Sequence, residues 1–217
     1  MCTLIVRTGR PLTLLGVRDE FADRPWEGPG EHWPDDYPGV IGGRDLKAGG
    51  TWLAVNPAAR RAAALLNGHG TPADETTKVS RGDLALRAAY TGEMPETDLT
   101  RYDPFHLVVA DLARVRLFSW DGERLAVSEL PEGTSMVVNS GLDPGSERVV
   151  AYLPRFREAA EWGELIRERP SSDRAALIIR HELPDGRVFA SLSAMEVAIT
   201  SEDVTYEFAD LTANLDG

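Results

Sequence analysis

The chain has 217 residues, 42% hydrophobic and 27% charged, and its 23 Lys and Arg against 35 Asp and Glu give a formal charge of −12. That balance fits one soluble globular domain over residues 1–217, large enough to bury a substantial apolar core. The acidic excess sets the average field against phosphate backbones, no apolar run approaches the roughly 20 residues of a membrane span, and no signal peptide pattern opens the chain, so the expectation is a cytoplasmic protein that binds no nucleic acid.

"TLIVRT" (Thr3 to Thr8), the turn residues "GRP" and "LTLLG" (Leu12 to Gly16) predict a hairpin at the N-terminus. From Val17 to Gly50 the sequence is rich in Pro and Gly, with Trp26, Trp33 and Tyr37, and reads as a long ordered loop whose aromatics lid a hydrophobic pocket or anchor the loop. "TWLAVN" and "AAALLN" predict two strands around Pro57 to Arg60. "SRGDLALRAAYTG" predicts a short helix, with Ser80 and Asp83 at capping-box spacing and Gly92 as the stop.

"FHLVVADLARVRLFSWDGERLAVSEL" carries three apolar runs, the last two joined at Asp121-Gly122, a dipeptide that favours type I′ hairpins. After "TSMVVN" the period becomes helical: Val149, Val150, Leu153, Phe156, Ala160, Leu165 and Ile166 share a face that Pro154 kinks or interrupts. "SSDRAALIIRHEL" predicts a further helix capped by Ser171 or Ser172, and "RVFASLSAMEVAIT" and "DVTYEFADL" predict two closing strands. Strands, helix, strands, helices, strands is the order of an α+β domain with antiparallel sheets.

The only cysteine is Cys2. Removal of Met1 would make it the chain terminus, with a thiol and an α-amine that both titrate near neutrality, so the amine can take the thiol proton and return it to a leaving amine. A lone cysteine is commonly a small buried hydrophobe, which is the competing reading. Arg18, Asp19 and Glu20, at the far end of the hairpin, would return beside Cys2. The four histidines show no metal-ligand spacing, so neither a metal nor a cofactor is assigned, and His69 is the rival base of a Cys-His pair.

In order, the segments "MCT", "VRDEFADRP", "GGRDLKAGGTWLAV", "LLN" and "NSGLD" resemble the family named after its Asn-Arg-Asp-Glu tetrapeptide, which includes the eukaryotic transport and Golgi organisation protein 2. The resemblance covers residues 1–67 and 139–143. It implies an N-terminal nucleophile hydrolase-like fold, a four-layer αββα sandwich of two antiparallel sheets, with bile-salt hydrolases and penicillin V acylases as mechanistic analogues. Carried over, it makes Cys2 the nucleophile, has Arg18 lower its pKa or steady a developing charge, has Asp19 orient the α-ammonium, and makes Asn139, then Asn67, the oxyanion donors. The expected activity is cleavage of a non-peptide C–N amide through a Cys2 acyl-enzyme, with a small-molecule amide as partner. Two departures stand out: Val17 occupies the motif's first Asn position, and Leu192 stands where an arginine is expected, removing one cation. The alternative on the same fold is a non-catalytic binding or trafficking protein for a hydrophobic ligand such as a lipid, acyl-CoA or haem. The oligomeric state is left open.

Overall fold

The computed structural model describes residues 2–215. The N-terminal hairpin forms as β1 (Thr3–Arg7) and β2 (Leu12–Phe21), with Thr3 opposite Val17. The segment expected to be a long loop is largely extended, because β2 runs on to Phe21 and is followed by β3 (Trp26–Gly30) and β4 (Ile41–Asp45). Its glycines and Pro29 are accommodated because β3 lies at a sheet edge and its register is irregular between Glu27 and Gly30. β5 (Leu53–Asn56) and β6 (Arg61–Asn67) follow as expected.

Helix α1 spans Gly82–Thr91 and stops at Gly92, whose φ of 86° lets its N–H reach the Ala88 carbonyl. The expected capping box is absent: the Ser80 hydroxyl accepts the Gly82 N–H at 3.2 Å, and the Asp83 carboxylate accepts the Tyr37 hydroxyl at 2.6 Å instead. β7 (Phe105–Asp111), β8 (Val115–Trp120) and β9 (Leu125–Glu129) make the meander. Trp120 pairs with Leu125, so Asp121-Gly122 belongs to a four-residue loop and not a two-residue turn. The Asp121 side chain closes that loop by accepting the Glu123 and Arg124 N–H groups at 2.8 and 2.7 Å.

β10 (Thr134–Val137) precedes α2 (Glu147–Glu158). Pro154 sits inside α2 without ending it; the carbonyl it cannot bond belongs to Val150, on the exposed side of the helix, where Val150 is 62% exposed. The expected apolar face breaks after Glu158, and Leu165 lies in a separate 3-10 turn, Leu165–Arg167. No helix forms over residues 171–183. The chain there bridges Ser171 to Ile179 and makes β11 (Arg180–Glu182), while Leu177 and Ile178 are buried beneath α2. Local helical spacing yields to a neighbouring strand that supplies partners: the Ile179 N–H donates to the Ser191 hydroxyl at 3.0 Å. β12 (Val188–Ile199) and β13 (Val204–Asp210) close the fold.

The first sheet runs β10-β1-β2-β12-β11, with β13 also on β12, and the second runs β3 to β9 in chain order. All strand pairs within the two sheets are antiparallel. Leu4, Val6 and Leu14 of the first sheet pack against Leu53, Ala64 and Val108 of the second. Ile5, Leu15 and Val17 point the other way, into a core shared with Tyr152 and Phe156 of α2. Leu84 and Ala88 of α1 cover the outer face of the second sheet against Ala54, Ala63 and Leu107. The result is the four-layer αββα sandwich that the family resemblance implies.

Gly50 abuts the start of α1, where an added Cβ would lie 2.5 Å from the Gly82 carbonyl carbon. Gly50→Ala should cost about 1–3 kcal/mol through overpacking, read as a lower midpoint in urea unfolding.

Candidate functional site

Period-2 alternation decides what meets what at the open end of the sheets. Cys2 packs against the core between the sheets, whereas Thr3 hydrogen-bonds toward α2. On β2, Val17 and Asp19 face α2, and Arg18 faces the second sheet, where its guanidinium lies 4.5 Å from the Trp52 ring centroid. Cys2, Arg18 and Asp19 all line one cleft of about 590 Å³ between the sheets.

The Cys2 backbone N–H donates to the Asn139 side-chain oxygen at 3.1 Å, across 137 positions of sequence. Its Sγ lies 3.9 Å from the Asp19 carbonyl oxygen. Burial pushes the Cys2 thiol up from the ordinary value, while the neighbouring Arg18 charge acts in the opposite direction. Asn139 therefore uses its amide oxygen on the Cys2 nitrogen. Asn67, at the exposed end of β6, lines the same cleft, and its amide has no protein partner among the described residues.

Asp19 has a fully buried carboxylate. Its Oδ1 accepts from the Ser191 hydroxyl at 2.6 Å and its Oδ2 from Arg148 at 3.2 Å, with side-chain exposures of 0% for Asp19 and 2% for Arg148. Burial raises the Asp19 carboxyl, opposed by the Arg148 charge and the Ser191 hydroxyl. Arg148 also donates to the Thr3 hydroxyl at 2.7 Å and the Arg174 carbonyl at 3.2 Å. The cation beside Asp19 is thus supplied by α2. Leu192 is a buried core residue at a bulge, between Ser191 opposite Asp19 and Ser193 opposite Arg18.

Arg18 is 4% exposed and donates to Asp45 at 3.2 Å; burial lowers its pKa. Asp45 also binds Arg24 at 2.6 Å and accepts the Lys47 and Ala48 N–H groups at 3.0 and 2.8 Å. Burial would raise its carboxyl, but these hydrogen bonds hold it below the usual carboxylate range. Behind Asn139 stands His106, 3.1 Å from its carbonyl and 2.8 Å from the Ser119 hydroxyl. Burial lowers the His106 pKa and favours the neutral ring; a carbonyl only accepts, so Nε2 carries the proton and Nδ1 accepts from Ser119.

The sequence reading missed Arg148, Ser191, Asp45 and His106. Arg148 carried a signal, since it continues the buried Tyr152 and Phe156 stripe at four-residue spacing, a costly place for a charge without a partner. Asp45 lies in the quoted "GGRD" segment. Ser191 and His106 carried none. His69, the rival base, is exposed outside the cleft lining, and Trp26, Trp33 and Tyr37 anchor their segment: Trp26 on Trp52 and Phe208, Trp33 on the Gly49 carbonyl, Tyr37 on Asp83.

The family model of Transport and Golgi organisation 2 matches residues 1–201. The chain belongs to this family. The match spans every site residue named above. Among solved structures, penicillin V acylase from Agrobacterium tumefaciens is similar, with 11% identity, a TM-score of 0.47, and coverage of 98% of this family member and 86% of that chain. No curated protein matches. No helix is long and apolar enough to cross a membrane among the described residues.

Arg148→Met should destabilise the fold by about 3–5 kcal/mol, because it leaves the Asp19 charge buried and unpaired. The double variant Arg148→Met with Asp19→Asn should recover much of that loss in urea unfolding. Arg18→Gln removes a charge that favours the thiolate, so the midpoint of Cys2 alkylation against pH should move further up, measured by mass spectrometry with iodoacetamide.

Proposed function

We propose that this protein is an N-terminal cysteine amidohydrolase that cleaves a non-peptide C–N amide bond through a thioester on Cys2. The observation that supports it most is the hydrogen bond from the Cys2 nitrogen to Asn139 at the edge of a cleft lined by Cys2, Arg18 and Asp19. Met1, whose removal this reading requires, lies outside the described residues. With Cys2 terminal, the same nitrogen becomes an amine held by the Asn139 oxygen.

Burial favours the neutral thiol at rest, which suits a concerted step. The Cys2 sulfur attacks the amide carbon as the α-amine takes the thiol proton, giving a tetrahedral oxyanion. The C–N bond then breaks, and the leaving nitrogen takes the proton back from the α-ammonium. Water attacks the thioester with the amine again as base, releasing the carboxylic acid and restoring the thiol. The Asn139 oxygen positions the amine in this scheme, so the oxyanion donor we assign is the free Asn67 amide at the cleft rim. Arg18 steadies the developing charge on sulfur and oxygen. Asp19, fixed by Ser191 and Arg148, braces the strand end that carries Arg18. The charged cleft lining favours a polar amide over a purely hydrophobic ligand.

Incubation with a panel of acyl amides followed by acid quench and intact-mass analysis should show an acyl adduct on Cys2. Cys2→Ala should form no adduct and lose at least about a thousandfold in turnover. An uncleavable N-terminal extension should abolish turnover, because it converts the amine to an amide. Adduct formation by the extended chain at the normal rate would overturn the α-amine's role.

A further inference from the structure

The chain is strongly acidic, yet the unpaired charges in its cleft are positive. Every acid lining the cleft is already engaged. Asp19 is held by Ser191 and Arg148, and Asp45 by Arg18 and Arg24. Glu20 lies 3.8 Å from Arg24 and accepts the Phe21 N–H, while Asp103 pairs with Lys78 at 3.6 Å and accepts the Ala73 N–H.

Two unpaired cations and one unpartnered guanidinium nitrogen are left over. Arg81 lines the cleft and spends one nitrogen on the Pro104 carbonyl, with no acid within ion-pair distance among the described residues. Lys47 lines it too and has no ion pair there. The third is the Arg18 Nη1, buried without any hydrogen-bond partner although Arg18 as a whole is 4% exposed. A buried guanidinium nitrogen without an acceptor is costly, and an anionic oxygen would satisfy it. Arg81 is also the cap residue of α1, and Ser80, Arg81 and Gly82 all line the cleft, so the positive end of the helix dipole adds to the same field. The close contact between Gly50 and Gly82 holds that helix end at the cleft.

We infer that the cleft selects amides bearing an anionic group, a carboxylate or phosphate, which Arg81 at the start of α1 and Lys47 in the turn after β4 hold while the scissile carbonyl sits at Cys2. This inference rests on the proposed hydrolase reading and names its substrate class. Arg81 acts as a specificity-determining residue: it holds a part of the substrate remote from the bond that breaks.

The test is the ratio of Cys2 alkylation rates by iodoacetate and iodoacetamide, which differ in charge but share one displacement at carbon. Dividing one rate by the other cancels any change in thiolate fraction. Relative to the same ratio for free cysteine, the protein should favour iodoacetate by about fivefold or more, and 1 M salt should erase the preference, because screening shortens to about 3 Å there. Arg81→Gln should lower the ratio toward the free-cysteine value, and Arg81→Lys should keep part of it. Lys47→Gln, at an exposed position, should lower it without disturbing the fold. A ratio equal to that of free cysteine, or one that Arg81→Gln and Lys47→Gln leave intact, overturns the inference. Acyl adducts on Cys2 with neutral amides alone would leave the hydrolase reading standing and sink the anion preference; rapid alkylation with the anionic bias but no acyl adduct from any amide would do the reverse.

Discussion

A carboxylate with no access to water has to be answered from within the fold, and Asp19 is that carboxylate. Its partners come from distant parts of the sequence: Arg148 from α2 and Ser191 from β12, with Arg148 reaching on to Thr3 and to the carbonyl of Arg174. Ser191 in turn receives the Ile179 N–H, so the segment leading into β11 is fastened to the same group. One buried charge thereby couples both strands of the first hairpin, the helix above them and the long strand beside them. A buried ion pair of this kind is weak as a source of net stability, but it is demanding about geometry, because loss of any one member leaves polar atoms stranded.

The consequence for the site is positional. With Asp19 held toward α2, the pleat obliges Arg18 to point to the opposite face, onto Trp52 and toward Asp45. Cys2 shares that face, while Thr3, its neighbour, belongs to the Arg148 network. The two charge networks lie back to back across one strand. They fix the thiol and the guanidinium relative to each other without a direct bond between them. His106 plays a comparable part on the other side, holding the turn that carries Asn139, whose own side chain reaches the Cys2 nitrogen.

Much of the strand framework was legible because alternation and turn chemistry are local. The N-terminal hairpin, the meander over β7 to β9 and the closing pair appear where their apolar runs lie. The misreadings share a cause. The Pro- and Gly-rich stretch after Val17 holds two strands because an edge tolerates such residues, and the apolar run at Leu177 to Ile179 is extended because β12 offers it a partner. Neither the edge nor the partner is visible within a short window.

The sequence by itself determined the kinship of the chain and the period of its strands, since motif order and alternation are written in short local stretches. Only the tertiary structure decided which cation answers Asp19 and which atom of Asn139 meets Cys2. Those outcomes depend on contacts between residues more than a hundred positions apart. Desolvation and packing select such contacts once the sheets have closed, and no local pattern encodes them.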